Sequence, residues 1–273
     1  MFIALKSAKE VPLSKLPKIT VYFWIMKICA TTLGETAGDL LSMTLKVGYA
    51  LSSLILISFF VITLVAQLGS RKHHPVLYWA VILSTSTAGT TMSDYMDRTL
   101  GLGYMKGTVI LLTILLTILT FWRLSVRDLS VVNIKTFKVE LLYWTTILFS
   151  NTLGTALGDF LADNSGLGFG GGALLISSLI GLIVVAHFYS LISKVLLFWV
   201  AFVLTRPFGA TMGDLLTKPH ERGGLDFGTV GASAILAAML GILILHSIQN
   251  EKKAVKVAAI PDFDLLESEM EGK

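Results

Sequence analysis

Six of the ionisable residues that lie inside largely apolar stretches of the chain have side chains that could carry chemistry. Glu35 and Arg206 each occur once and do not recur at a regular spacing. The other four are aspartates at regularly spaced sites: Asp39, Asp94, Asp159 and Asp214. An ionisable residue in a segment that crosses a bilayer is costly, so it is a functional candidate by default.

The four aspartates admit two interpretations. In the first, they form a ring of carboxylates that coordinates a hard cation such as Mg²⁺, Mn²⁺ or Ca²⁺, helped by threonine hydroxyls or backbone carbonyls. In the second, they only cap and shape helix ends at the outer interface, although an aspartate at a helix C-terminus is mildly disfavoured by the macrodipole. The sequence leaves both interpretations open.

Glu35 and Arg206 interrupt a pattern that elsewhere carries small or hydroxylated residues. On a helical projection both fall on the inward face, at depths that differ by about 6 Å, which long side chains can bridge. They are therefore either groups of a transport pathway or a mutual ion pair that locks two helices together. Pro207 follows Arg206 and predicts a kink that frees a backbone carbonyl.

Other polar residues are weaker candidates. Four of them could line or bind within the same interior: Thr32, Thr87, Thr152 and Asn151. Lys27 is expected near a membrane interface, where its ammonium group can snorkel to water.

These residues belong to an internal repeat. A tryptophan opens each copy: Trp24, Trp79, Trp144 and Trp199. A glycine follows ten residues later, a small residue fourteen later and the aspartate fifteen later. The small residues are Gly34, Gly38, Gly89, Ser93, Gly154, Gly158, Gly209 and Gly213. Their four-residue spacing predicts tight helix packing in a membrane.

A second level of duplication is visible in the spacing. Trp24 and Trp144 are 120 residues apart, and so are Trp79 and Trp199. A two-helix unit has therefore been duplicated, and its four-helix product duplicated again. Because each unit holds an even number of spans, we expect a pseudo-symmetry axis along the membrane normal.

Eight apolar stretches mark the predicted helices that carry these residues. They cover about 19–42, 47–69, 75–96, 103–123, 139–162, 168–192, 195–217 and 225–249. Each approaches the roughly 20 residues that a spanning helix needs, and alternating strand-like segments are absent. The prediction is an all-α membrane protein with one integral membrane domain over 1–273. Its halves are 19–123 and 139–249, and a charged cytoplasmic tail covers 250–273.

Composition and charge agree with this class. Hydrophobic residues make up 54% and charged residues 15% of the chain, against about a quarter charged in soluble domains. No basic stripe interleaved with aromatic residues indicates nucleic acid. The single cysteine, Cys29, excludes an internal disulfide and a cysteine metal cluster.

The loop charges predict an orientation. Five Lys and Arg residues lie on one side: Lys46, Arg98, Lys106, Lys218 and Arg222. Fifteen lie on the other: Lys6, Lys9, Lys15, Lys18, Arg71, Lys72, Arg123, Arg127, Lys135, Lys138, Lys194, Lys252, Lys253, Lys256 and Lys273. The positive-inside rule then places both termini in the cytoplasm. The tail is acidic at Asp262, Asp264, Glu267, Glu269 and Glu271.

The four tryptophans and their two-helix units are similar to those of a known family. Over roughly 19–249 the chain resembles bacterial multi-pass membrane proteins that carry four tandem repeats of a domain of unknown function. The resemblance implies a bacterial inner-membrane protein and implies no activity.

The function expected from the residues is a transporter or channel-like permease. Its solute would be a small cation, monovalent or divalent, or a proton-coupled solute, and Arg206 leaves an anionic solute open. The alternative is a non-transporting scaffold or sensor in which the motif only packs helices, and a closed core around Glu35 would favour it. Zinc-protease, nucleophile-elbow, nucleotide and Gly-x-Gly-Asp protease motifs are absent, so no enzyme and no cofactor are expected. The expected partners are the lipid bilayer and the solute.

Overall fold

The computed structural model describes residues 16–70, 73–131, 134 and 136–258. Within these ranges the chain is all-α and contains no strand. Some charges used above for orientation lie outside the described residues: Lys6, Lys9, Lys15, Arg71, Lys72, Lys135, Lys273, Asp262, Asp264, Glu267, Glu269 and Glu271.

The described part of the chain forms eight long α-helices. They are α1 (Val21–Asp39), α2 (Tyr49–Gly69), α3 (Pro75–Asp94), α4 (Tyr104–Val126), α5 (Phe137–Asp159), α6 (Gly168–Tyr189), α7 (Lys194–Thr217) and α8 (Thr229–Ala258). Their bounds follow the eight apolar stretches closely. The difference is at α8, which starts four residues late and continues into the segment assigned to the tail.

The odd-numbered helices end at the repeat aspartates in a regular way. After Asp39, Asp94 and Asp159 the chain continues as a single π-helical turn, over Leu40–Thr44, Tyr95–Thr99 and Phe160–Asn164. The fourth copy differs, because α7 continues to Thr217 and a short 3₁₀ turn, His220–Arg222, follows.

The four odd-numbered helices form a closed inner ring. Helix α1 contacts α3, α3 contacts α5, α5 contacts α7, and α7 returns to α1. Each even-numbered helix packs outside the inner helix of the following repeat: α2 on α3, α4 on α5, α6 on α7, and α8 on α1. Every repeat therefore covers its neighbour, and α8 closes the circle.

Small residues allow this ring to close. A Cβ atom added at Gly89 would lie 2.9 Å from the backbone nitrogen of Thr152, and one at Gly209 would lie 2.8 Å from the carbonyl carbon of Thr31. Gly34 and Gly154 face Ser86 and Arg206 of the next inner helix in the same way. In a bilayer, such close backbone approach supplies the packing that holds helices together.

Within the described ranges, five helices are long and apolar enough to cross a membrane: α2, α4, α6, α7 and α8. The inner helices α1, α3 and α5 are more polar, and most of their threonine, serine and aspartate side chains are buried. The ring therefore turns its polar surface inward and leaves the apolar outer helices exposed.

Candidate functional site

Four residues of each inner helix line the axis of the ring. They lie three, seven, eleven and fifteen residues after the repeat tryptophan, and we call them positions +3, +7, +11 and +15. At about 100° per residue these positions share one helical face and form layers about 6 Å apart. All sixteen side chains are buried. The axis is thus a stack of four four-residue layers.

The middle of the stack is an ion pair that joins α7 to α1. Arg206 Nη2 lies 2.9 Å from Glu35 Oε2, and the two side chains are 0% and 3% exposed. Two threonines at position +11 complete the contacts, because Arg206 Nη2 donates to the hydroxyls of Thr90 and Thr155 at 2.5 and 2.7 Å. Every inner helix thus contributes to this layer, and we call Glu35 and Arg206 the central pair.

Arg206 makes all of these contacts through one nitrogen. Its Nη2 atom also approaches the carbonyl oxygen of Ser86, at 3.4 Å. Among the described residues, Nε and Nη1 of Arg206 and the hydroxyl of Ser86 are buried with no hydrogen-bond partner. A buried guanidinium with unused N–H groups is costly, so this part of the axis has donor capacity to spare.

Lys27 lies on the axis and not at an interface. The expectation that it snorkels to water is wrong, because its side chain is fully buried at position +3. Its Nζ donates to Asn151 Oδ1 at 3.4 Å and lies 4.0 Å from the ring centre of Phe202. Asn151 in turn donates to Thr85 Oγ1 at 2.9 Å. Asn151 of α5 and Phe202 of α7 thus surround the Lys27 ammonium in place of water.

The four aspartates form two clusters and not one open ring. Lys218 Nζ lies 2.6 Å from Asp39 Oδ2 and 3.0 Å from Asp214 Oδ1. On the opposite side, Arg98 lies 2.8 Å from Asp94 and 3.6 Å from Asp159. We call these the Lys218 and Arg98 clusters. Each places one cation between two carboxylates from neighbouring helices.

The aspartates hold both cations in their charged form. Burial lowers the pKa of Lys218, but the carboxylates of Asp214 and Asp39 raise it by more, so the pKa of the ammonium lies above its ordinary value. Arg98 behaves likewise: burial lowers its pKa, but the carboxylates of Asp94 and Asp159 raise it by more. Lys218 and Arg98 therefore both stay charged at neutral pH.

A possible metal-ligating set connects one cluster to the central pair. Carboxylate oxygens of Glu35, Asp39 and Asp214 lie within 4.8 Å of one another, and all three residues are buried. Oxygen ligands at such spacing suit a hard cation. The Lys218 ammonium already bridges Asp39 and Asp214, so a cation there would compete with it.

The opposite end of the axis is closed by aromatic rings. The residue before each repeat tryptophan contacts the tryptophan of the next repeat. Ring centres are 5.6 Å apart for Phe23 and Trp79, 5.5 Å for Tyr78 and Trp144, 6.3 Å for Tyr143 and Trp199, and 5.7 Å for Phe198 and Trp24. The hydroxyls of Tyr78 and Tyr143 are 2.8 Å apart. We call these eight residues the aromatic layer.

The remaining candidates have local roles in the structure. The hydroxyls of Thr32, Thr87 and Thr152 each donate to the carbonyl four residues earlier in their own helix. The small residues at the fourteenth position lie against the next helix: a Cβ atom at Gly38, Gly158 or Gly213 would come within 2.9 Å of Thr90, Ala210 or Glu35. Ser93 occupies the fourth such position and donates to Asp97 Oδ2 at 3.3 Å.

Several residues of this site were not among the candidates proposed from the sequence, although signals for them existed. Thr90 and Thr155 occupy the repeat position of Glu35, and Arg98 and Lys218 are 120 residues apart, as the two halves are. An aromatic residue precedes every repeat tryptophan. Comparing all four copies position by position would have found them.

Comparison with known proteins bears on the repeat. A family model described as "Repeat of Unknown Function (DUF347)" matches four times in tandem, over 22–73, 77–128, 142–192 and 197–252. No curated protein and no solved structure matches the chain. The four matches confirm the four tandem repeats found in the sequence, and the chain belongs to this family.

Proposed function

We propose that the protein is a multi-pass permease that carries a small solute along the axis of the inner ring. The solute class is a small cation or a solute coupled to protons. One observation carries the proposal: a fully buried ion pair, Glu35–Arg206, at the point where all four inner helices meet. No enzymatic reaction and no cofactor are part of it.

The cost of the central pair supports a functional role. Two buried charges lose their hydration, and apolar residues of similar volume would often stabilise a fold as well or better. A packing device alone does not need them. Charged residues within membrane helices mark solute or proton pathways in most proteins that keep them.

The two closed ends of the axis fit an occluded state of a carrier. The aromatic layer covers one end, and the Lys218 and Arg98 clusters cover the other. In alternating access, the solute site is fixed near the middle and one end opens at a time. The clusters can open by breaking ion pairs, and the aromatic layer can open by moving the tryptophans apart.

The polar residues would then have distinct tasks. Glu35 is the protonatable or coordinating group at the centre, and Arg206 is its counter-charge. Asp39, Asp94, Asp159 and Asp214 attract cations to the outer end and exchange partners with Lys218 and Arg98. Thr90 and Thr155 supply hydroxyls that can follow Arg206 or Glu35 when the pair separates.

The proposal includes a topology. All eight helices cross the bacterial inner membrane, with both termini in the cytoplasm, as the bias of loop charges favours. The polar helices α1, α3 and α5 can do so because the apolar outer helices shield them from lipid. The aromatic layer then faces the cytoplasm, and the aspartate clusters face outward.

The rival function is a scaffold or sensor that transports nothing. The closed core is the observation in its favour, since Glu35 is 2% and Arg206 0% exposed. A scaffold keeps this core closed at all times, whereas a permease opens it in turn to each side.

Flux measurements decide between the two functions. The purified full-length protein would be reconstituted into liposomes, and gradients of H⁺, Mn²⁺ and chloride would be followed with enclosed dyes. We expect flux of at least one of these ions, lost in Glu35→Gln and kept in Glu221→Gln, whose glutamate is exposed. Absence of flux for all three ions, in protein shown to be folded, would support the scaffold.

A further inference from the structure

Two buried cations lie beside each other on the axis. Lys27 on α1 and Arg206 on α7 occupy positions +3 and +7 of contacting helices, one layer apart, and both are fully buried. Glu35 pairs with Arg206. The four aspartates lie beyond Glu35 and have their own cations, Lys218 and Arg98. With Lys27 protonated, the half of the axis towards the tryptophans carries one more positive than negative charge among its lining residues.

The donors of these two cations are incompletely used. Arg206 Nε and Nη1 have no hydrogen-bond partner among the described residues, and both are buried. The Lys27 ammonium makes one long bond, 3.4 Å to Asn151, and rests on the ring of Phe202. A neighbouring hydroxyl, that of Ser86, is buried and unpartnered too. The unused donors of Arg206 and Ser86 thus belong to one layer, position +7 of α7 and α3.

A water molecule would satisfy donors but would leave the excess charge in place. A divalent anion would turn the excess positive charge of this half of the axis into an excess negative charge. A single negative charge neutralises Lys27 while Glu35 neutralises Arg206, and it accepts hydrogen bonds from both cations. Ile82, Ile147 and Phe202 share the layer of Lys27 and are fully buried, so we take the ion to be small.

We infer that a small monovalent anion, of the size of a halide or nitrate, binds between Lys27 and Arg206. The inference rests on the proposed function for one part, which is that this anion is the solute of the permease. An anion that arrives beside Arg206 competes with Glu35 for the guanidinium.

Binding can be measured without transport. Purified full-length protein in detergent would be titrated with chloride, bromide or nitrate against gluconate at constant ionic strength, and thermal unfolding would be followed. We expect a saturable rise in Tm with the small anions and none with gluconate. Equilibrium dialysis with radiolabelled chloride would find one ion bound per chain.

Two variants locate the site. Lys27→Met removes one of the two cations, and chloride binding should fall at least tenfold. Lys106→Met is the control, since Lys106 is an exposed lysine away from the axis, and chloride binding should be unchanged. If Lys27→Met does not fold, Lys27→Gln and the dialysis stoichiometry of the wild type replace it.

The outcomes separate this inference from the proposed function. No anion-dependent stabilisation and no bound chloride in the wild type would overturn the inference, even if another flux depends on Glu35. Equal chloride binding by Lys27→Met and wild type would overturn it as well. Chloride binding that depends on Lys27 in a protein without any flux would uphold the site and reject the permease.

Discussion

Arg98 and Lys218, 120 residues apart in the chain, occupy equivalent positions of the two halves, and each bridges two of the four repeat aspartates. Arg98 joins α3 to α5, and Lys218 joins α7 to α1. The corresponding positions in the other two repeats hold Met43 and Asp163. The inner ring is therefore fourfold in its packing and twofold in its charge, and its aspartate end is divided into two separate contacts.

Lys218 should stabilise the fold with a defined pH dependence. Lys218→Met removes charge-assisted contacts to two buried carboxylates, and we expect a loss of roughly 1.5–3 kcal/mol in unfolding free energy. The pKa of Lys218 is raised in the folded protein, so its contribution is fully present below the unfolded value of about 10.4 and is lost only as pH rises through the higher folded value.

Denaturant unfolding of wild type and Lys218→Met in detergent at several pH values tests this. The difference between them should be constant from pH 8 to 10 and should shrink only at higher pH. Lys106→Met, at an exposed lysine, serves as the control and should cost little. A difference that already declines between pH 8 and 10 would contradict the assignment.

The central pair should show strong energetic coupling. Glu35→Ala leaves the Arg206 guanidinium buried without its carboxylate, and breaking a buried pair from one side costs roughly 3–5 kcal/mol. The double variant Glu35→Leu/Arg206→Leu removes both charges and should be less destabilised than the sum of the two single changes. A double-mutant cycle on thermal or denaturant unfolding measures the coupling, and additive effects would show that the two side chains do not form a pair in the folded protein.

The glycines of the inner helices that face a neighbouring inner helix should not tolerate even one added methyl group. Gly154→Ala places a Cβ atom against Arg206 Cβ and Pro207 Cδ, so neighbouring backbone must shift at a cost of about 1–3 kcal/mol. Gly181 of α6 is the matched control, because nothing lies within 4 Å of an added Cβ atom there. Gly181→Ala should be neutral or slightly stabilising, since alanine favours helix. Equal unfolding free energies for the two variants would argue against this packing.

The aromatic layer offers a comparison within the repeat. Trp144 is fully buried between Tyr78 and Tyr143, so Trp144→Ala should cost roughly 3–5 kcal/mol. Trp24 holds the same repeat position but is only partly buried, and Trp24→Ala should cost less. The unfolding midpoints of the two variants test this order. A larger loss of stability in Trp24→Ala than in Trp144→Ala would contradict it.

Much of this architecture was accessible from the sequence because repetition reveals it. The spacing of Trp24, Gly34 and Asp39 recurs four times, so both the repeat unit and the inward face could be predicted. Helix bounds followed from apolar length, with α8 as the exception because the charged segment after Ile248 continues as helix to Ala258.

Side-chain partnerships could not be predicted in the same way. Lys27 looked like an interfacial lysine, because its burial depends on the way α5 and α7 enclose α1. Arg98 and Lys218 looked like loop charges, because only the ring brings them beside aspartates of neighbouring helices. Such contacts depend on packing between helices distant in sequence, which single-helix periodicity does not contain.

The central claim is that the core around Glu35 opens in turn to each side of the membrane. A cysteine at Thr155, whose hydroxyl lies 2.7 Å from Arg206 Nη2 and 3.5 Å from Glu35 Oε2, reports on that core. Thr155→Cys in a Cys29→Ala background would be treated with a membrane-impermeant thiol reagent in right-side-out and inverted vesicles. The permease predicts slow labelling from both sides. Labelling from neither side, in protein whose cysteine reacts fully once denatured, would contradict it.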